Sequence, residues 1–136
     1  MSDLIQISFV LPASPAQVYE AWLDSAAHSA MTGGEARIDP HVKGKFTAWD
    51  GYIQGANLVL EPFRLIVQSW RTTDFPPGSA DSRLEIPLEE ADGGVKITLR
   101  HTDIPDGQGI QYEQGWLDYY LVPMGQYFGG KASPSP

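Results

Sequence analysis

The sequence contains no cysteine, which excludes disulfides, thiolate nucleophiles and cysteine-based zinc sites. Cations are scarce: 9 Lys and Arg stand against 17 Asp and Glu, a formal net charge of -8. The acidic positions are scattered from Asp3 to Asp118 with no run of like charge. Such a surface repels phosphate backbones and anionic lipid, so neither nucleic acid nor a membrane is an expected partner. Arg37, Lys43 and Lys45 lie close in sequence and read as isolated surface cations. No apolar run approaches the roughly 20 residues of a membrane span. Leu4 to Leu11, interrupted by Gln6 and Ser8 and without a basic flank, reads as a strand rather than a secretion signal. The expected location is the cytoplasm.

Core material, in contrast, is plentiful. With 42% apolar and 11% aromatic residues in 136, the chain supports one hydrophobic core. One domain over residues 1–130 is expected, with residues 131–136 as a frayed end.

Ile5, Ile7, Phe9 and Leu11 alternate with polar or outward positions, the period of a half-buried strand. Ser14 then reads as a helix N-cap with Pro15 at the first helical position, and Val18, Ala21 and Trp22 as the buried face. Asp24 caps a second short helix running through Met31, and Gly33-Gly34 ends it. Residues 35 to 102 carry only β signals. Asp50-Gly51 predicts a tight type I′ hairpin, Glu61-Pro62-Phe63 a turn into a strand over Leu65 to Arg71, and Asp74 to Asp81 a loop. Which face of that strand is buried stays open: Ile66, Gln68 and Trp70, or Leu65, Val67 and Ser69. Pro87 lacks a ladder donor, which predicts an edge or a bulge for the strand through Leu84, Ile86 and Leu88. Asp92-Gly93-Gly94 turns the chain back, and Val95, Ile97, Leu99 and His101 share one face of the next strand.

The period then changes. Tyr112, Trp116, Tyr119, Tyr120, Met124, Tyr127 and Phe128 recur at three and four, predicting an amphipathic helix over Ile110 to Phe128 with a kink at Pro123. Strand, two short helices, about six more strands and a long helix make an α+β domain. Its hairpin-length connections give an antiparallel sheet of about seven strands, with the helix on the concave face.

Several phrases, in order, carry a family likeness: Val18-Tyr19-Glu20-Ala21-Trp22, Gly44-Lys45-Phe46 with Asp50-Gly51 and Gly55, Leu60-Glu61-Pro62, Ser69-Trp70, Leu99-Arg100-His101-Thr102 and Gly115-Trp116. From about residue 5 to 128 the chain resembles the activator of heat shock protein 90 ATPase homologue-1-like family, within the START-like (SRPBCC) helix-grip superfamily. The resemblance implies a curved sheet wrapped around the C-terminal helix, with a cavity between them. It also implies two functions, a non-catalytic domain for a small hydrophobic or aromatic ligand, or a partner that stimulates a chaperone ATPase in a stress response.

Sequence motifs for chemistry are sparse. Gly125 to Lys131 reads as a phosphate loop one residue short, with Ala132 where Ser or Thr must hold magnesium, and it follows a helix rather than a strand. Gly107-Gln108-Gly109 is a loop before a helix. His101-Thr102-Asp103 has metal-ligand spacing, but no histidine follows it, so no metal and no cofactor is expected. There is no nucleophile elbow, and no catalytic residue is assigned. A cyclase- or isomerase-type site remains an alternative, with His101 and either Glu113 or Tyr112 as acid and base. His101 reads either as a satisfied structural histidine or as a polar anchor facing a ligand. The aromatic inventory, which fits a core as well as a pocket, supplies the candidate ligand-binding residues: Phe46, Trp49, Tyr52, Trp70, His101, Tyr112, Trp116 and Tyr119. A monomer or weak homodimer is expected.

Overall fold

In the computed structural model, which describes residues 2–132, the strand period and the helix period fall where the sequence changes its own. The end expected to fray falls largely outside these residues. β1 (Ser2–Leu11) leads into α1 (Pro15–Leu23) and α2 (Ser25–Thr32). The Ser14 hydroxyl accepts from the Gln17 N–H at 3.1 Å while the Gln17 side chain accepts from the Ser14 N–H at 2.8 Å, a reciprocal cap. Asp24 caps α2 through the Ala27 N–H at 2.8 Å, and Gly33, with φ 88°, closes it.

β2 (Arg37–Ile38), β3 (Lys45–Ala48), β4 (Ile53–Glu61), β5 (Leu65–Thr72), β6 (Ser82–Ala91) and β7 (Gly94–Pro105) complete a seven-stranded sheet. Its order is β1-β7-β6-β5-β4-β3-β2, with every neighbouring pair antiparallel. First and last strands are therefore partners, and α1 and α2 carry the chain from one edge to the other. The inner face is a continuous set of rows: Ile5, His101, Leu84 and Gln68 pair across four strands, and Ile66 faces Ile86 in the next row. Ile66, Gln68 and Trp70 are thus the inward residues of β5, which settles their facing. Val95, Ile97, Leu99 and His101 are all fully buried, as their common face predicts.

The C-terminal helix lies against this face. It runs as α3 (Gly109–Trp116), a wide π-turn (Leu117–Leu121) and α4 (Val122–Ala132). Gln108 gives α3 no side-chain cap, and Asp3 of β1 does so from across the chain. Its Oδ2 accepts from the N–H groups of Gly107 at 3.0 Å and Gly109 at 2.8 Å. Trp116, Tyr120, Leu121, Met124 and Phe128 are buried beneath the helix.

Two local expectations change, those for Pro87 and for the β3–β4 turn, and Pro123 gains a local setting. Pro87 is neither at an edge nor in a bulge, since β6 lies between β5 and β7 and its register with β7 is the same on both sides of the proline. The Leu88 N–H turns toward β5, donating to the Arg64 carbonyl at 2.8 Å. The missing donor of Pro87 therefore faces β7, where the ladder lapses between Glu85 and Leu88. Pro123 follows directly on the π-turn, in which the Val122 N–H reaches back to the Leu117 carbonyl. The wider turn re-spaces the carbonyls before a residue that cannot donate to one, so the helix continues past the proline. The β3–β4 connection is also displaced. The tight turn centres on Trp49 and Asp50, with φ 50° and 58°, and the Gly51 N–H donates to the Ala48 carbonyl at 3.2 Å.

Gly55, opposite Phe46 and Trp70, shows why one strand position must stay small. A Cβ there would sit 1.9 Å from the Ser69 carbonyl oxygen and 2.9 Å from the Phe46 ring. Gly55→Ala is expected to separate β4 from β5 locally and cost about 2 kcal/mol or more. Urea unfolding checks this by a lower midpoint at an unchanged slope.

Candidate functional site

A cavity of about 290 Å³ opens between one end of the sheet and the C-terminal helix. Trp49, Tyr52, Ile53 and Trp70 line it from the β3–β4 turn, β4 and β5. Tyr112, Gly115, Trp116, Tyr119 and Tyr120 line it from the helix. The wall is almost wholly apolar because most of its polar atoms bond elsewhere.

Trp116 and Trp70 are held by a directional chain of hydrogen bonds. The Trp116 indole N–H donates to His101 Nδ1 at 3.1 Å, which leaves the His101 proton on Nε2 to donate to Ser82 Oγ at 2.8 Å. Ser82 in turn donates to the Trp70 carbonyl at 2.6 Å. The Trp70 ring covers the His101 ring at 4.5 Å and near right angles. Burial pushes the His101 pKa down from 6.5 to about 3, so the ring is neutral. A second chain holds the other wall: Tyr120 donates to His28 Nε2 at 2.8 Å, and His28 Nδ1 donates to the Trp22 carbonyl at 2.8 Å. Burial lowers the His28 pKa and raises that of Tyr120.

At the mouth, the phenols are tied to loops. Tyr112 donates to Gln108 Oε1 at 2.8 Å and shares a 2.7 Å bond with Thr72, and Gln108 donates from its amide to the Asp74 carbonyl at 3.0 Å. Burial raises the Tyr112 pKa to about 12. Tyr52 donates to Asp74 Oδ2 at 2.6 Å, and its pKa is raised by burial first and then by that carboxylate.

Six of the eight sequence candidates thus surround one space: Trp49, Tyr52, Trp70, Tyr112, Trp116 and Tyr119. Phe46 does not; it is buried over Gly55, filling the room that glycine leaves. His101 is fully buried behind the two tryptophans with both nitrogens engaged, the structural arrangement of its two readings. The acid–base set is not assembled either, since Glu113 is exposed and Tyr112 turns its hydroxyl toward Thr72 and Gln108. His101 and Asp103 also part company. A register shift between β1 and β7 leaves Asp103 at φ 61° and exposed, breaking the alternation that would have put both on one face. Among the described residues no group of three His, Asp or Glu is placed to hold a metal ion, and no helix is long and apolar enough to cross a membrane.

Ile53, Gly115 and Tyr120 line the cavity without having been singled out. A signal existed for two of them. Gly115 and Tyr120 fall three and eight positions after Tyr112, on the stripe that already contained Trp116 and Tyr119.

The family description "Activator of Hsp90 ATPase homolog 1-like protein" matches residues 12–129. Among curated sequences, the chain is 30% identical over 105 residues to a Dictyostelium discoideum protein named activator of 90 kDa heat shock protein ATPase homolog, covering 76% of this chain and 27% of that protein. It is 26% identical over 125 residues to an uncharacterized protein of Schizosaccharomyces pombe, covering 92% of this chain and 37% of the other. The chain therefore spans only about a third of the curated relatives it matches. Among solved structures, an HSP90 activator from Plasmodium falciparum superposes with a TM-score of 0.77 at 20% identity, covering 96% of both chains. An Aha1 dimer from Colwellia psychrerythraea gives 0.78 at 12% identity, covering 96% of this chain and 99% of the other. At such identities these likenesses show the fold.

The His101 geometry makes a pH prediction. Between pH 6.5 and about 3 the unfolded chain takes up a proton at this ring that the folded chain refuses. His101 therefore takes stability away as pH falls through that window, by about 1.4 kcal/mol per pH unit. At pH 5 the nitrogen NMR shifts of His101 should report a neutral ring protonated at Nε2. A titration midpoint near the ordinary histidine value would overturn the buried hydrogen-bond chain.

Proposed function

Because the chain belongs to the family of Activator of Hsp90 ATPase homolog 1-like proteins, we propose that it acts as a non-catalytic helix-grip domain whose cavity receives a small neutral hydrophobic or aromatic molecule. The observation that carries this reading is the wall itself. Ring faces and one aliphatic side chain border about 290 Å³, and no charged side chain is among them. A dry apolar cavity of about 150 Å³ takes benzene, so the space suits a body of two or three fused rings. The phenols of Tyr112, Tyr52 and Tyr120 already have partners, so over most of the wall an entering molecule meets ring surface rather than free donors. Burial of apolar area, at about 25 cal/mol per Å², supplies the affinity.

A second reading keeps the domain as a partner that stimulates a heat shock protein 90 type ATPase. It is favoured by the Dictyostelium relative, whose name states that activity for a protein much longer than this chain. Each reading predicts a separate result.

Gly115 offers a clean test of the cavity. A Cβ there meets only the Tyr119 ring at 3.9 Å, so larger side chains extend into the open space. Gly115→Leu also replaces a helix-interior glycine, worth roughly 0.5–1 kcal/mol of stability. The wild-type chain should raise the fluorescence of the neutral probe 1-aminoanthracene, and Gly115→Leu should abolish that rise while melting no lower. Equal signals from the two chains, or no signal from either, would refute the cavity reading. For the second reading, the purified domain should accelerate ATP hydrolysis by its host's chaperone at least severalfold; an unchanged rate ends it.

A further inference from the structure

The two sides of the cavity are built differently. Trp70 and Trp116 belong to the hydrogen-bonded chain through His101, whereas Trp49, on the opposite side, has no polar attachment. Its Nε1 is sealed from solvent and, among the described residues, is the one buried side-chain nitrogen or oxygen without a partner. An unsatisfied buried donor costs about 1–3 kcal/mol. The backbone beneath it is also unfavourable. Trp49 sits at φ 50°, a region bulky side chains rarely adopt and which costs about 1–3 kcal/mol.

Several contacts enforce this placement. The neighbouring Asp50 exchanges bonds with Glu35, its N–H donating to the Glu35 carbonyl at 3.0 Å and its Oδ1 accepting from the Glu35 N–H at 3.2 Å. The Tyr52 N–H donates to the Trp49 carbonyl at 3.1 Å. Gly34 makes room for the indole, since a Cβ there would lie 2.5 Å from its Cε3. So a strained turn, a cross-loop clamp and an obligatory glycine together hold an indole against an apolar cavity with its N–H unused. A core residue placed only to fill volume needs none of these.

We propose that Trp49 Nε1–H is the recognition donor of the cavity, and that the ligand is a neutral ring system bearing a hydrogen-bond acceptor, such as an aromatic ketone, aldehyde or quinone. This rests on the cavity reading above and adds the functional group to it. The acceptor reaches a nitrogen that is closed in the empty domain only if a neighbouring side chain moves, and within the proposal that side chain is Tyr119. It packs on the Trp49 ring at 5.5 Å, lies in the π-turn and is 58% exposed, so its side chain can swing outward without unpacking the core. An acidic or basic head group is disfavoured, because no counter-charge lines the wall.

The test compares tetralin with 1-tetralone, which differ by one carbonyl, in the wild-type chain and in Trp49→Phe. The ratio of dissociation constants, tetralin over tetralone, should be roughly tenfold larger in the wild type than in the variant. The indole N–H resonance that disappears in Trp49→Phe, or is assigned sequentially if that variant does not fold, should move downfield with tetralone and not with tetralin. If both compounds bind while the resonance stays still and the ratio is the same in both chains, the donor role is wrong and the cavity reading survives. If neither compound binds the wild type, both fall together.

Discussion

The deepest hydrogen bond between the C-terminal helix and the sheet runs from Trp116 to the fully buried His101 of β7. An aromatic helix packed on an apolar sheet brings indole and imidazole nitrogens into the interior, and each must find a partner or leave a cost of about 1–3 kcal/mol. His101 solves this for three residues at once, accepting from Trp116 and donating to Ser82, which is bound to the Trp70 backbone. The proton positions follow without choice, and a charged His101 is incompatible with the donor it faces. Depth of the cavity follows as well, because Trp116 and Trp70 are fixed 5.5 Å apart as its floor.

Tyr120 and His28 repeat the device between the helix and α2. Together the two histidines turn what would be a slippery aromatic interface into one with a defined register. On the opposite wall the Trp49 and Tyr119 side chains meet edge to face at 5.5 Å with no side-chain hydrogen bond between them, and Trp49 is held instead through its backbone turn. The side chain on this wall with the fewest constraints is Tyr119, which is largely exposed.

Much of the architecture was written into local pattern. Ser14-Pro15, Asp24 and Gly33 marked the short helices, and the switch from period two to period three and four marked the last one. Pattern alone failed where partners distant in sequence decide. Pro87 looked like an edge residue because a proline's missing donor is visible in sequence, while the direction that donor would have faced is not. The aromatic inventory named most of the cavity wall, yet it could not separate Phe46, which fills space over Gly55, from Trp49, which borders empty space. For His101, sequence put it on the inner face; only the positions of Trp116 and Ser82 show that both ring nitrogens are occupied. Asp103 was lost to a bulge, a feature with no reliable marker in a single sequence.

The pairing of β1 with β7 has a consequence for how the chain is made. Within this sheet β1 emerges before its partner and pairs only after residues 94 to 105 have followed, and the cap that Asp3 gives to Gly109 comes later still. Until then β1 presents Leu4, Ile5, Ile7, Phe9 and Val10 with an unsatisfied backbone edge on both sides. Contacts so far apart along the chain slow folding, and an apolar strand waiting unpaired is a site for pairing with another nascent copy. The ribosome, rather than the finished domain, is where this architecture is most vulnerable.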